Sequence, residues 1–201
     1  MNNKRDSGDT KEAILGAAKE IMIKKGYDEA KMEEIARKAG VSKVMLYYHF
    51  QSKENILKEL IGRIIGSAKL HLSEIISGLK KLEELKVELI LSKLRPVFGR
   101  EAAFLRIIIS EVLRGKLDYE IVLSLLKDFY FEIYDMTNKD GNQGDRDSYI
   151  TKMLFFQGLP LIMYYCISED VSRVYGIGID KIEKAFSDKF TDSLMRTLKL
   201  N

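Results

Sequence analysis

One cysteine, Cys166, stands in 201 residues, with no tryptophan, two prolines and two histidines. A lone cysteine excludes an internal disulfide and a cysteine-based zinc site. With only His49 and His71 available, no Cys/His/Asp cluster has metal-ligand spacing, and no metal or other cofactor is expected. A phosphate-cradling glycine loop is missing: Gly176-Ile177-Gly178 is two glycines in a connector. A serine-centred nucleophile elbow is missing as well. A catalyst using carboxylates alone stays open without positive evidence, and an enzyme is not expected. The chain lacks any apolar run approaching the ~20 residues of a membrane span. It opens on polar, charged residues without the apolar core of a secretory signal. No membrane partner is expected, and the cytoplasm is the expected location. Charge of one sign is scarce too. The formal net charge of +3 is too small to name a partner.

What is there is most concentrated between Met32 and Phe50. Two short helices joined by a tight turn are predicted, with the second presenting polar and aromatic side chains outward. That is the anatomy of a helix-turn-helix that reads DNA. Ala36 is expected where the two helices cross closest. Gly40 falls where the turn leaves the first helix, a place for left-handed backbone. Ser42 is placed to cap the second helix by accepting a backbone N–H. Leu46 turns back into the wedge, where Ile35, Ala39 and Val41 complete a small core. Lys43, Val44, Met45, Tyr47, Tyr48 and His49 are left facing out. No Asp or Glu occurs between Glu34 and Glu54, whereas Arg37, Lys38, Lys43 and Lys53 all do. Such a window suits a phosphate backbone.

These residues also carry a resemblance. Thr10 to Leu15, Gly26-Tyr27, Glu34-Ile35-Ala36, Ala39 to Lys43, Leu46 to Phe50 and Ser52-Lys53-Glu54 together resemble the tetracycline-repressor (TetR) family of bacterial regulators. The match runs from about Thr10 to Leu60, under a third of the chain. Resemblance to that family implies a homodimer, a three-helix DNA-binding head and a larger helical body that binds a small-molecule effector. By position it implies that Lys43, Val44 and Met45 lie against base edges or phosphates. Tyr47 and Tyr48 would reach phosphates or bases, His49 the phosphate backbone, and Lys53 a phosphate, while Leu46 and Phe50 are core. One departure stands out. Lys31 occupies the place where the family puts Ser or Thr in a capping box with the acid three residues on, here Glu34. The cap should be weaker by ~1 kcal/mol, with the lysine's charge replacing a hydroxyl contact to phosphate.

The remainder reads as helix with no strand alternation and no internal repeat, giving an all-α chain of about nine helices. Residues 1–52 are expected to form the DNA-binding head and residues 53–201 a ligand-binding and dimerisation body. Residues 1–8 read as a frayed tail. Helix one starts after Asp9 or Thr10 and stops at Lys24-Lys25-Gly26. Ser52 caps a long fourth helix that runs to Gly78. Leu82 to Phe98 is helical, bent or ended near Pro96, followed by Glu101 to Leu113 and Leu117 to Met136. Asn138 to Asp147 is the clearest loop. Ser148 to Ile167 is strongly apolar, with a kink expected at Gly158 and Pro160, and Ile179 to Leu198 is last.

The last two helices carry more apolar surface than one buried face needs, and a second subunit is the expected cover. Phe155, Leu161, Ile162, Phe186, Phe190 and Leu194 are the dimerisation candidates. Glu111 shares a stripe with Phe104, Ile107 and Ile108. It either meets a cationic ligand or, the favoured reading, pairs with Arg114 or reaches solvent. Phe104, Glu111, Tyr130, Phe156 and Met163 are the candidates for a ligand pocket. His71 reads as a boundary residue, and Cys166 as a small buried hydrophobe. The implied partners are a palindromic double-stranded DNA operator, a second copy and an unidentified effector, with repression the expected outcome. The alternative is a DNA-bound architectural factor, or one whose body answers to a partner protein.

Overall fold

A computed structural model describes residues 7–79, 85–137 and 145–198. Among the described residues there are helices and no strands. In chain order they are α1 Ser7–Lys25, α2 Met32–Ala39, α3 Lys43–His49, α4 Lys53–Ser77, α5 Val87–Leu113, α6 Tyr119–Thr137, α7 Arg146–Met153, a π turn Leu154–Gly158, α8 Leu159–Tyr175 and α9 Ile179–Thr197. Most of the tail, the segment just before α5 and most of the Asn138–Asp147 loop fall outside the described residues.

The chain divides into two compact units. The first comprises Met1–Arg63 and Ala103–Leu123, the second Ile64–Ala102 and Ser124–Asn201. The boundary expected at 52/53 therefore falls inside the first unit. The opening turns of α4 are tied to α1, because Arg63 pairs with Glu12 at 2.6 Å and Lys11 with Glu59 at 3.0 Å. Both α4 and α5 contribute residues to each unit.

Apolar spacing builds the first unit. Ile14, Ala18 and Met22 recur on one face of α1 and are fully buried, as are Ile35 of α2, Leu46 of α3, Ile56 and Leu57 of α4, and Phe104 of α5. Each such large side chain contributes roughly 1.5–3 kcal/mol over exposure.

In the second unit, α9 packs against α7, the π turn and α8. Its core includes Val87, Leu94, Tyr130, Ile133, Tyr149, Cys166, Phe190 and Leu194. Cys166 is thus the buried small hydrophobe expected of it. At the π turn, Gly158 is needed because a Cβ there would overlap the Tyr130 hydroxyl and come within 2.9 Å of its Cζ. The bend expected at Gly158 and Pro160 takes the form of this π turn. Pro160 follows directly on the π turn, at the second position of α8.

Two features differ from the sequence reading. Of the two outcomes expected at Pro96, a bend or an end, the end does not occur, since α5 runs through it. The buried residues Leu94, Val97, Phe98 and Phe104 hold both flanks and offset the ~3 kcal/mol a mid-helix proline costs. The second concerns length. Arg146–Tyr175 is, by length and composition alone, long and apolar enough to cross a membrane. Polar residues interrupt the stretch, so no unbroken apolar run marks it in the sequence. Phe155, Phe156, Met163 and Ile167 remain exposed along it.

Candidate nucleic-acid interface

The α2–α3 element is assembled from local signals. Gly40 takes φ 67°, and the N–H groups at the turn bond back to the Ala36 and Arg37 carbonyls. Ala36, 3 % exposed, permits the close crossing. The Met45 N–H donates to Ser42 Oγ at 3.1 Å, giving α3 its cap. Lys31 makes no side-chain cap to α2, in keeping with the weakened start expected there. Glu34 instead accepts from Lys25 at 2.7 Å, which holds its carboxyl below the ordinary carboxylate range. Leu46 is fully buried and Phe50 nearly so. They anchor α3 from within, while Val44 is 81 % and Tyr48 79 % exposed, and Met45 and Tyr47 also face out. The Tyr48 and His49 rings meet edge to face at 5.3 Å.

The acid-free window in the sequence is not acid-free in space. Lys43 Nζ donates to Glu33 Oε1 at 3.2 Å. Glu33's own backbone N–H, and then Lys43, hold that carboxyl below its usual range. Lys38 pairs with Glu20 at 2.7 Å. These pairs are solvent-exposed and weak, so the lysines can exchange a carboxylate for a phosphate. The contact between Glu33 and Lys43 crosses the turn, so charge order along the chain does not reveal it.

Lys53 is placed differently from the expectation. Its ammonium donates to the carbonyl oxygens of Tyr27 at 2.6 Å and Asp28 at 2.9 Å. It also lies 4.4 Å from the centre of the Tyr27 ring. Burial pulls its pKa down, and Asp28 and Glu111 act in the opposite sense. It holds the α1–α2 loop, and its donors point inward rather than to a phosphate.

Glu111 joins the same cluster. It is 7 % exposed and accepts from the Asp28 N–H at 3.3 Å, with Arg114 at 3.9 Å. Gly26, at φ +91°, passes so close that a Cβ would lie 3.2 Å from Glu111 Oε1. The carboxylate braces this loop, and the pairing with Arg114 is present. Phe104, also offered for the pocket, is core of the first unit with Lys19 Nζ 6.0 Å from its ring centre. Tyr130, Phe156 and Met163 belong to the second unit, where Tyr130 is buried and Phe156 is 60 % exposed.

The dimerisation set also divides. Leu161, Phe190 and Leu194 are buried within the chain itself, because α9 covers α8. Phe155 is exposed, and Ile162 and Phe186 are half-buried. Phe186 stacks on Tyr164 with ring centres 4.3 Å apart.

Residues 14–60 match the family described as bacterial regulatory proteins, tetR family. The HTH-type transcriptional regulator QacR of Staphylococcus aureus is 47 % identical over 51 residues, 25 % of this chain and 27 % of that one. The HTH-type transcriptional regulator UidR of Escherichia coli is 31 % identical over 106 residues, 53 % of this chain and 54 % of that one. The chain thus spans between about a quarter and a half of the length of these curated relatives. A TetR family transcription regulator from Marinobacter aquaeolei superposes with a TM-score of 0.64 at 18 % identity, over 96 % of this chain and 98 % of that one. That likeness concerns the fold. Residues 14–60 of this chain thus resemble the tetR family of bacterial regulatory proteins, and the described helices adopt a fold seen in solved TetR family regulators.

Proposed function

We propose that this protein is a sequence-specific DNA-binding transcriptional regulator, a repressor that leaves its operator when a small molecule binds its helical body. The observation that carries the reading is the division of α3. Leu46 is sealed inside, while Val44, Met45, Tyr47 and Tyr48 face solvent on a rod whose neighbours include Lys43. A helix held this way fits a major groove, and its exchangeable lysines fit the flanking phosphates. The relatives QacR and UidR are transcriptional regulators, which agrees with it.

One such head makes too few base contacts to select a site in a genome. The exposed apolar side chains of Phe155, Phe156, Met163 and Ile167 favour a second copy as their cover. Two heads on a two-fold axis call for a palindromic operator with half-sites about 34–36 Å apart, or a multiple of that. Two features support an effector site in the body: the π turn, a geometry frequent at functional sites, and the buried Gln157 Oε1, which has no hydrogen-bond partner among the described residues. If the exposed face instead takes a different protein, the chain is a partner-responsive DNA-bound factor, and a monomer in solution would favour that.

The test is selection of duplexes from a random library by the full-length protein. Enrichment of an inverted repeat is expected, with Tyr48→Ala weakening binding at least tenfold and leaving the melting temperature unchanged. Failure to enrich any duplex refutes the reading.

A further inference from the structure

Apart from Lys43, the recognition helix lacks the side chains that pair two-fold with a base, although Tyr47, Tyr48 and His49 carry single polar groups. The seven residues of α3 are Lys-Val-Met-Leu-Tyr-Tyr-His. None is Arg, Asn or Gln, the side chains that pair two-fold with guanine or adenine. None is Asp or Glu, which would accept from cytosine N4. Ser42 Oγ accepts from the Met45 N–H in the cap and keeps its O–H to donate. Lys43 remains as a donor for guanine once it leaves Glu33. What the first turn of α3 offers most openly is hydrocarbon: the isopropyl group of Val44, 81 % exposed, and the thioether of Met45, 43 % exposed. Neither is needed by the fold at that exposure. Cations nearby on α2 and α3 suit this surface to a polyanion. Among the base edges of the major groove, the C5-methyl of thymine is the one that complements an apolar side chain.

Resting on the reading of α3 as a DNA-contacting helix, we propose that the half-site is read chiefly through thymine, with C5-methyl groups packed against Val44 and Met45. Cytosine in either place loses the methyl and turns its N4 donor toward hydrocarbon that cannot accept a hydrogen bond. Thymine is thereby selected by burial of a methyl and by the unmet donor of its competitor.

The experiment uses the full-length protein and a duplex recovered by selection. Each thymine of one half-site is replaced in turn by deoxyuridine, which removes the methyl and keeps base pairing. Binding is followed by fluorescence anisotropy at one fixed salt concentration. At one or two positions Kd should rise about fourfold, the worth of one buried methyl, and cytosine there should cost more. Val44→Ala should erase the deoxyuridine penalty at one position and Met45→Ala at another, with the melting temperature of both variants unchanged. If the duplex binds tightly and every deoxyuridine is neutral, or the penalties persist in both variants, thymine readout is overturned while the DNA-binding helix stands. If selection enriches nothing and no duplex binds, both fall.

Discussion

Replacing Lys53 by methionine separates two roles that a lysine at this place can have. The substitution keeps most of the aliphatic stem and removes the ammonium. Two hydrogen bonds from that ammonium, at 2.6 Å and 2.9 Å to the Tyr27 and Asp28 carbonyls, are lost with it. Hydrogen bonds to charged groups contribute about 1.5–3 kcal/mol when fully formed. Lys53 is only partly buried, and the freed carbonyls gain access to water, so the pair is discounted. A contact with the Tyr27 ring adds about 0.5–1 kcal/mol. The net loss for Lys53→Met comes to about 1–2 kcal/mol on these figures. For a chain of this size that lowers the melting temperature by about 2–8 °C. Calorimetry or circular dichroism reads the shift. The second measurement is the salt dependence of operator binding. A lost phosphate contact reduces the slope of log K against log salt by about 0.9, whereas a lost loop clamp leaves the slope alone. A reduced slope with an unchanged melting temperature would refute the clamp and restore the phosphate role inferred from sequence.

Two more predictions concern the second unit. Gly158→Ala should destabilise by about 1–3 kcal/mol through overpacking, because its methyl would strike the Tyr130 hydroxyl. Adding Tyr130→Phe should recover part of the loss in chemical denaturation, and no recovery would mean that the contact is not the cause. Burial pushes the Tyr149 and Tyr165 phenols up to about 12. With folded-state values above the unfolded value near 10, their contribution is fully present below about pH 10 and is lost as pH rises through about 12. The Tyr149→Phe, Tyr165→Phe double variant should therefore lose stability less steeply over that alkaline range, and an identical slope would count against the assignment.

The head was legible because its signals are local. Gly40, Ser42, Leu46 and Ser52 act within three or four residues of themselves, as a turn, a cap, a wedge and a second cap, and sequence spacing encodes such things directly. The long-range contacts of Lys53 and Glu111 were not legible, for the opposite reason. Their partners lie 26 and 83 residues away, and nothing in a charged residue's neighbours tells which remote carbonyl or N–H it will meet. The apolar excess of the last helices was visible as a quantity. Which side α9 covers was not, so Leu161, Phe190 and Leu194 were given to a partner subunit when the chain itself buries them. At Pro96 a local rule was outweighed by packing on both flanks.

Within α3, the atoms that hold the helix and the atoms that face outward belong to different residues. Leu46 and Phe50 answer to the interior, whereas Val44 and Tyr48 stand mostly clear of it and Met45 and Tyr47 are partly so. Mutational drift at those four positions meets little resistance from folding. If the proposed reading of α3 holds, a handful of substitutions there is enough to redirect the head to another duplex, and an engineer can exchange them as a cassette.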